Sequence, residues 1–260
     1  MSNKKFHFIS GLPRSGTTLL SVILQQNPRF EASISNPLAR FVRAIIQEST
    51  AQGGYGTECP PEKNKQILNG IFENYYDNPE KEVAFNVNRG WTLLLPTVKG
   101  LYPQSKVLLC VRDIAWILDS FEVLVRKNPY QFSSMFSPDE NTNVYTRCES
   151  LLNPGRTLGF AYGGVKQALS SEFRSSIYLV EYDKLAKNPE AMLKSIYKFL
   201  GEEYFEHDFS DVESTHTDFD DEAGLPGLHT TRKKVEFIER KTIIPPDILN
   251  SVSNMNVWKF

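Results

Sequence analysis

The stretch Gly11-Leu12-Pro13-Arg14-Ser15-Gly16-Thr17-Thr18 constrains this chain more than any other. It follows Lys5-Phe6-His7-Phe8-Ile9-Ser10, an apolar run that reads as a buried β-strand. It precedes Leu19-Leu20-Ser21-Val22-Ile23-Leu24-Gln25-Gln26, a helix that Asn27-Pro28 stops. Strand, glycine loop and helix in that order make an anion cradle. The loop's backbone N–H groups and the unpaired N–H groups of the first helical turn converge on one point.

The spacing is Gly-x4-Gly followed by two hydroxyl residues, close to the Walker A loop of nucleotide triphosphatases. Thr17 stands where those loops carry a Lys, and the nearest cation is Arg14, inside the turn. A guanidinium there offers a planar fork to a terminal anion. Pro-Arg-Ser-Gly-Thr-Thr resembles the 5′-phosphosulfate-binding loop of sulfotransferases, enzymes that use 3′-phosphoadenosine-5′-phosphosulfate (PAPS). The resemblance implies that Pro13, Arg14, Ser15, Gly16, Thr17 and Thr18 bind this cofactor and that Arg14 is catalytic.

The rest of the chain alternates strands and helices. Strands are expected at Arg29–Ser35, Val83–Asn86, Lys106–Val111 and Ser176–Glu181, the third being a continuous apolar run suited to a parallel sheet's interior. Helices are expected from Leu38, across Ile67–Tyr75, over Thr92–Leu101, from Asp113 as N-cap, over Thr157–Ser170 and Pro189–Leu200, and from Pro245-Pro246. Lys127–Pro154 reads as a long functional or mobile stretch, and the tail as loop-rich, acidic around Asp218–Glu222 and basic at Arg232–Lys234. This order predicts an α/β three-layer sandwich with a mostly parallel central sheet, of the P-loop nucleotide-binding, sulfotransferase-like fold. No linker divides it, so residues 1–260 are expected to form a single domain. Ligands of such sheets sit beyond the carboxyl ends of the strands.

Charge and cysteine usage narrow the partners. A formal net charge of −2 argues against nucleic acid. The first residues leave no room for a signal peptide, and no apolar run reaches membrane-spanning length. Three widely spaced cysteines, Cys59, Cys110 and Cys148, fit neither a disulfide framework nor a zinc site and point to the cytoplasm.

Arg112 ends the strand at Lys106–Val111, and Ser120 lies two helical turns on, turned by less than a right angle. A cation and a hydroxyl on nearly one face can grip a second phosphate. Arg-Asp-x6-Ser resembles the sulfotransferase element for the 3′-phosphate of PAPS. Tyr182, in Tyr182-Asp183-Lys184-Leu185-Ala186-Lys187-Asn188-Pro189, resembles the residue that lies against the adenine. Arg232 and Lys233 resemble, more loosely, the segment closing over the 3′-phosphate. The family uses a Glu or His base. In the tyrosylprotein sulfotransferases, whose loop is most similar, the Glu position falls on Ser35 of this chain; Glu31, His229 and His207 remain as candidate bases. The nearby family Lys has only Arg89 as counterpart.

The resemblance implies sulfuryl transfer from PAPS to a small-molecule or peptide hydroxyl, or an amine, with PAP released. No metal is implied, because the protein supplies the cations. A P-loop kinase or NTPase, and a PAPS-fold binding protein without turnover, are the alternatives. The acceptor is expected to meet Lys127–Pro154 or Thr50–Pro61.

Overall fold

The computed structural model describes residues 4–50, 52–214, 220–221 and 223–259. The first three residues, where a leader would begin, and most of the acidic stretch at 218–222 lie outside the described residues. Five parallel strands form one sheet: β1 (Lys5–Gly11), β2 (Phe30–Ala32), β3 (Val83–Val87), β4 (Val107–Val111) and β5 (Ile177–Glu181), in the order β2-β3-β1-β4-β5. Successive side chains alternate between faces, so Phe6, Phe8, Leu109 and Val111 enter one core while Ile9, Leu108, Cys110 and Val180 enter the other. Helices cover both faces, which explains why β4 is apolar at every position.

The helices lying wholly within the described residues are α1 (Thr17–Gln25), α2 (Leu38–Glu48), α3 (Pro61–Tyr75), α4 (Leu95–Leu101), α5 (Ile114–Lys127), α6 (Val144–Leu152), α7 (Thr157–Leu169), α8 (Tyr182–Lys187), α9 (Pro189–Leu200) and α10 (Pro246–Val252). Asp113 caps α5 as expected, accepting from the Ala115 N–H at 3.0 Å. Chain order reverses about β1, because β2 and β3 lie to one side of it and β4 and β5 to the other. The crevice between the β1 and β4 ends is therefore the ligand position of this topology. Gly11 pairs there with Cys110.

Three expectations are corrected. β2 is limited to Phe30–Ala32, because from Ser33 to Asn36 the chain leaves the ladder and bonds β3 by single contacts. The helix expected from Thr92 begins at Leu95, after a 3-10 turn at Arg89–Thr92; Pro96, lacking an N–H, suits a first turn. Lys127–Pro154 contains α6, started by Asn143 and Thr146, which cap each other's backbone. Tyr182 opens the short helix α8.

A buried polar chain fixes the exit of β3. Trp91 Nε1 donates to Asn86 Oδ1 at 2.8 Å, and Asn86 and Asn36 both donate to the Tyr76 hydroxyl at 2.9 Å. Asn88 ties to the Asn36 carbonyl, and Ser10 of β1 donates to the Arg89 carbonyl at 3.2 Å. Arg89 is thus held at the rim beside the loop.

After α9 the tail moves between the two cores. Val212 and Val235 join one core; Leu225, Ile244, Ile248, Val252 and Trp258 join the other. Segments 209–214 and 231–235 run antiparallel, through Val212 N–H to the Lys233 carbonyl and Val235 N–H to the Phe209 carbonyl. Between them the chain returns to the carboxyl rim, where the Leu228 carbonyl accepts from Arg14.

Two buried histidines make the fold acid-sensitive. His7 accepts from the Lys106 N–H at its Nδ1, and His207 Nε2 bonds the Tyr197 hydroxyl at 3.0 Å. Burial pushes both down to about 4 from 6.5. The unfolded chain binds these protons first, so the stability they contribute is present above pH 6.5 and lost as pH falls toward 4. That is about 2 kcal/mol each by pH 5. The urea midpoint is expected to drop steeply between pH 7 and pH 5; a flat midpoint would contradict this.

Candidate functional site

The loop leaves β1 at Gly11 and enters α1 with Gly16 as N-cap, at φ 89°. Ser15 is buried, and its hydroxyl bonds the Leu12 carbonyl at 2.6 Å and the Cys110 carbonyl at 3.0 Å. Its side chain thus fastens the loop to β4, which leaves the Ser15 backbone N–H as its group toward the crevice. The N–H groups of Arg14, Ser15, Gly16, Thr17, Thr18 and Leu19 find no acceptor among the described residues; the first helical bond is Leu20 N–H to the Gly16 carbonyl. Unpaired backbone donors at this density are what an anion satisfies. Thr17 and Thr18 are half-buried in the same turn.

Arg14 has φ 57°, the one positive φ of a non-glycine among the described residues. Its Nε donates to Ser120 Oγ at 3.0 Å, and its Nη1 donates to the Leu228 carbonyl. Arg112 Nη1 donates to the Arg14 carbonyl at 3.2 Å. The loop and the Arg112/Ser120 pair therefore meet around Arg14. Burial and the like charge of Arg112 push Arg14 down to about 10, with Tyr182 and Asp220 opposing. Burial lowers Arg112 as well. Its Nε is buried with no hydrogen-bond partner among the described residues. Two crowded guanidiniums and an orphaned donor are costly without an anion between them.

Tyr182 packs over the loop, its ring edge against Gly16 and its face 4.2 Å from the Arg112 guanidinium. His229 lies against the same cluster: its Nδ1 is 2.7 Å from Asp220 Oδ1, and its backbone N–H donates to the same carboxylate. Burial lowers its pKa, Asp220 opposes, and the charges of Arg14 and Arg89 lower it further. Arg89 stands at the crevice edge, and desolvation of its guanidinium lowers its pKa.

Other candidates lie apart. Glu31 faces Lys4 at 3.3 Å, in register with Ala84 near the amino end of β3, and so is not at the rim. His207 is buried in the lower-core hydrogen bond to Tyr197. Arg232 and Lys233 are exposed on the antiparallel tail segment, and no hydrogen bond or ion pair joins their side chains to Arg112 or Ser120. In their place the structure brings Arg240, ion-paired to buried Asp119 beside Ser120, close enough to act on Arg112. Arg240 and Asp220 are absent from the sequence reading. Neither sits in a periodic element, and no spacing signals them.

Of the tail residues at the site, only the fold's closure over the rim brings them in. Among the described residues, no group of three His, Cys, Asp or Glu side chains is placed to hold a metal ion. No helix there is long and apolar enough to cross a membrane.

Comparisons with known proteins show the fold and the family. A Caenorhabditis briggsae protein named as a protein-tyrosine sulfotransferase is 24% identical over 207 residues, 76% of this chain but only 65% of its own length. The sulfotransferase domain of the curacin biosynthetic pathway has a TM-score of 0.59 at 15% identity, covering 96% of this chain and 98% of its own. The sulfotransferase domain of the Synechococcus PCC 7002 olefin synthase has a TM-score of 0.57 at 18% identity, covering 100% and 96%. A mouse sulfotransferase solved with PAP has a TM-score of 0.55 at 16% identity, covering 98% and 83%. The model of the sulfotransferase family matches residues 7–206, and the chain belongs to that family.

Proposed function

We propose that this protein transfers the sulfuryl group of PAPS to a hydroxyl acceptor, a small molecule or a peptide side chain, and releases PAP. One observation carries the reading: the open N–H groups from Arg14 to Leu19 adjoin two guanidiniums that crowd each other, with no carboxylate among the described residues in hydrogen-bond contact. A nucleotide with charge at both its 5′ and 3′ positions fits that set. The loop amides, Arg14 and the hydroxyls of Thr17 and Thr18 would take the 5′ end, and Arg112 with Ser120 the 3′-phosphate, where the orphaned Arg112 Nε awaits an acceptor. Tyr182 is placed to meet the base once Arg112 turns to phosphate; such stacking contributes about 1–3 kcal/mol. PAPS supplies an activated sulfuryl group, and these donors are aimed at the charge that grows on its oxygens. His229 is the base of this reading, since it is the candidate that lies beside Arg14.

Residues 1–260 act as one domain in this account, because the tail beyond the family match supplies His229 and the Leu228 contact. Free thiols at Cys59, Cys110 and Cys148 suit a cytoplasmic setting. In this reading the acceptor meets the exposed aromatic side chains Tyr130 and Phe132, next to Ser133, which bonds the Ala223 carbonyl.

The test is incubation with PAPS and a panel of phenols, alcohols and tyrosine peptides, with PAP and sulfated product measured by mass. Turnover is expected to survive EDTA, because Arg14 and the loop amides do what Mg²⁺ does in phosphoryl transfer. Strict Mg²⁺ dependence with release of inorganic phosphate from ATP would place the chain among kinases or NTPases. PAP binding without turnover of any acceptor would make it a binding protein.

A further inference from the structure

His229 and Asp220 both lie beyond the matched span 7–206. Asp220 is buried, its side chain 3% exposed, and its carboxylate accepts the His229 N–H at both oxygens, 3.1 and 3.0 Å. A third contact reaches ring Nδ1 at 2.7 Å. An ionised carboxylate only accepts, so the ring nitrogen facing it is the one that carries hydrogen. The backbone contacts fix the carboxylate relative to the His229 main chain, leaving little freedom for the ring to turn. We propose that Asp220 is a positioning residue that holds His229 as the Nδ1-protonated tautomer and directs Nε2 to the acceptor hydroxyl. This rests on the sulfuryl-transfer reading above and names how its base is prepared.

The step balances without a further reagent. The acceptor O–H proton goes to Nε2 as the acceptor oxygen bonds sulfur. The bond from sulfur to the 5′-phosphate oxygen breaks with its electron pair on the departing PAP, and the imidazolium then returns the proton to water. Among the described residues, the charged groups that act on His229 include Asp220, Arg14 from the loop and Arg89 from the β3 exit. Burial disfavours the imidazolium, Asp220 favours it, and the charges of Arg14 and Arg89 oppose it further. Without Asp220 no carboxylate at Nδ1 selects the tautomer, and the influences that disfavour the imidazolium lose the opposition of this charge.

The experiment uses the full chain labelled with ¹⁵N-histidine, with and without PAP, the His229 signals being identified by their loss in His229→Gln. The neutral ring is expected as the Nδ1–H tautomer in the unaltered protein and as a mixture in Asp220→Asn. With the acceptor that turns over best in the panel, Asp220→Asn should lower kcat at least ~10²-fold. The acidic limb of kcat/KM should move to lower pH, while PAP affinity stays within about threefold. A neutral Nε2–H tautomer in the unaltered protein overturns the inference whether or not the variant folds. So does an Asp220→Asn protein with unchanged kcat and pH profile. Failure of the unaltered protein to bind PAP would instead remove the underlying reading.

Discussion

Arg14→Gly is expected to lower kcat by ~10² or more while changing the stability of the free protein by less than about 1.5 kcal/mol. The two halves of this result have different causes. Arg14 occupies the left-handed region at φ 57°, which costs a non-glycine residue about 1–2 kcal/mol. Its side chain gains two hydrogen bonds, to Ser120 and the Leu228 carbonyl, each with a net value of about 0.5–1.5 kcal/mol. Those bonds are offset by relief of backbone strain and of the repulsion from Arg112, so stability barely moves. Strain held for no stability gain is the signature of a functional position. With the guanidinium gone, the charge of the transferred group loses its preorganised partner, a loss realised in the transition state. Arg14→Lys should rescue poorly, because a point charge does not span two oxygens. Thermal melts and steady-state kinetics check both halves. A loss of several kcal/mol would make Arg14 a structural strut, and an intact kcat would end its catalytic role.

Gly11→Ala is expected to destabilise the protein by at least about 3 kcal/mol, a large share of the 5–15 kcal/mol that holds a typical domain together. At φ 135°, a Cβ on Gly11 would stand 2.0 Å from the Cys110 carbonyl oxygen. That oxygen also accepts the Leu12 N–H and the Ser15 hydroxyl, so neither central strand can give way. Gly16→Ala makes the contrast. Its Cβ meets Tyr182 Cδ2 at 2.9 Å, the edge of a side chain that can rotate. The protein should fold but bind PAP more weakly, because Tyr182 is pushed from its place over Arg112. Urea titration of the two variants separates them. Equal stability of Gly11→Ala and the unaltered protein would contradict the close approach of loop and β4.

The parts of this molecule that were legible from sequence are those where a local pattern has one physical meaning. β4 is a continuous apolar run because both sheet faces are covered, and Asp113 follows it as a cap because the strand ends in a helix start. The loop was legible because a strand, two glycines and a helix leave backbone donors with nowhere else to point. α6 was hidden although Val144, Cys148, Leu151 and Leu152 share a helical face, since polar residues Thr146, Arg147, Glu149 and Ser150 interrupt it and its cap is an Asn–Thr pair. α8 is too short for periodicity to register. Glu31 misled because strand alternation specifies a face and not a height along the strand: its register with Ala84 puts it far below the rim. Asp220 and Arg240 act through tertiary closure of a tail without period, and only the path of that tail brings them to Arg14 and Arg112.

The most direct test is calorimetric titration of the protein with PAP, 5′-AMP and ATP·Mg, repeated with Arg112→Ala. The account rests on Arg112 and Ser120 answering to a 3′-phosphate while the open N–H groups of the loop answer to the 5′ end. PAP is then expected to bind more tightly than both 5′-AMP and ATP·Mg. Arg112→Ala should lose about 1.5–3 kcal/mol toward PAP and little toward 5′-AMP, the value of one charge-assisted contact. Equal affinity for PAP and 5′-AMP, or a preference for ATP·Mg that Arg112→Ala leaves untouched, would contradict it.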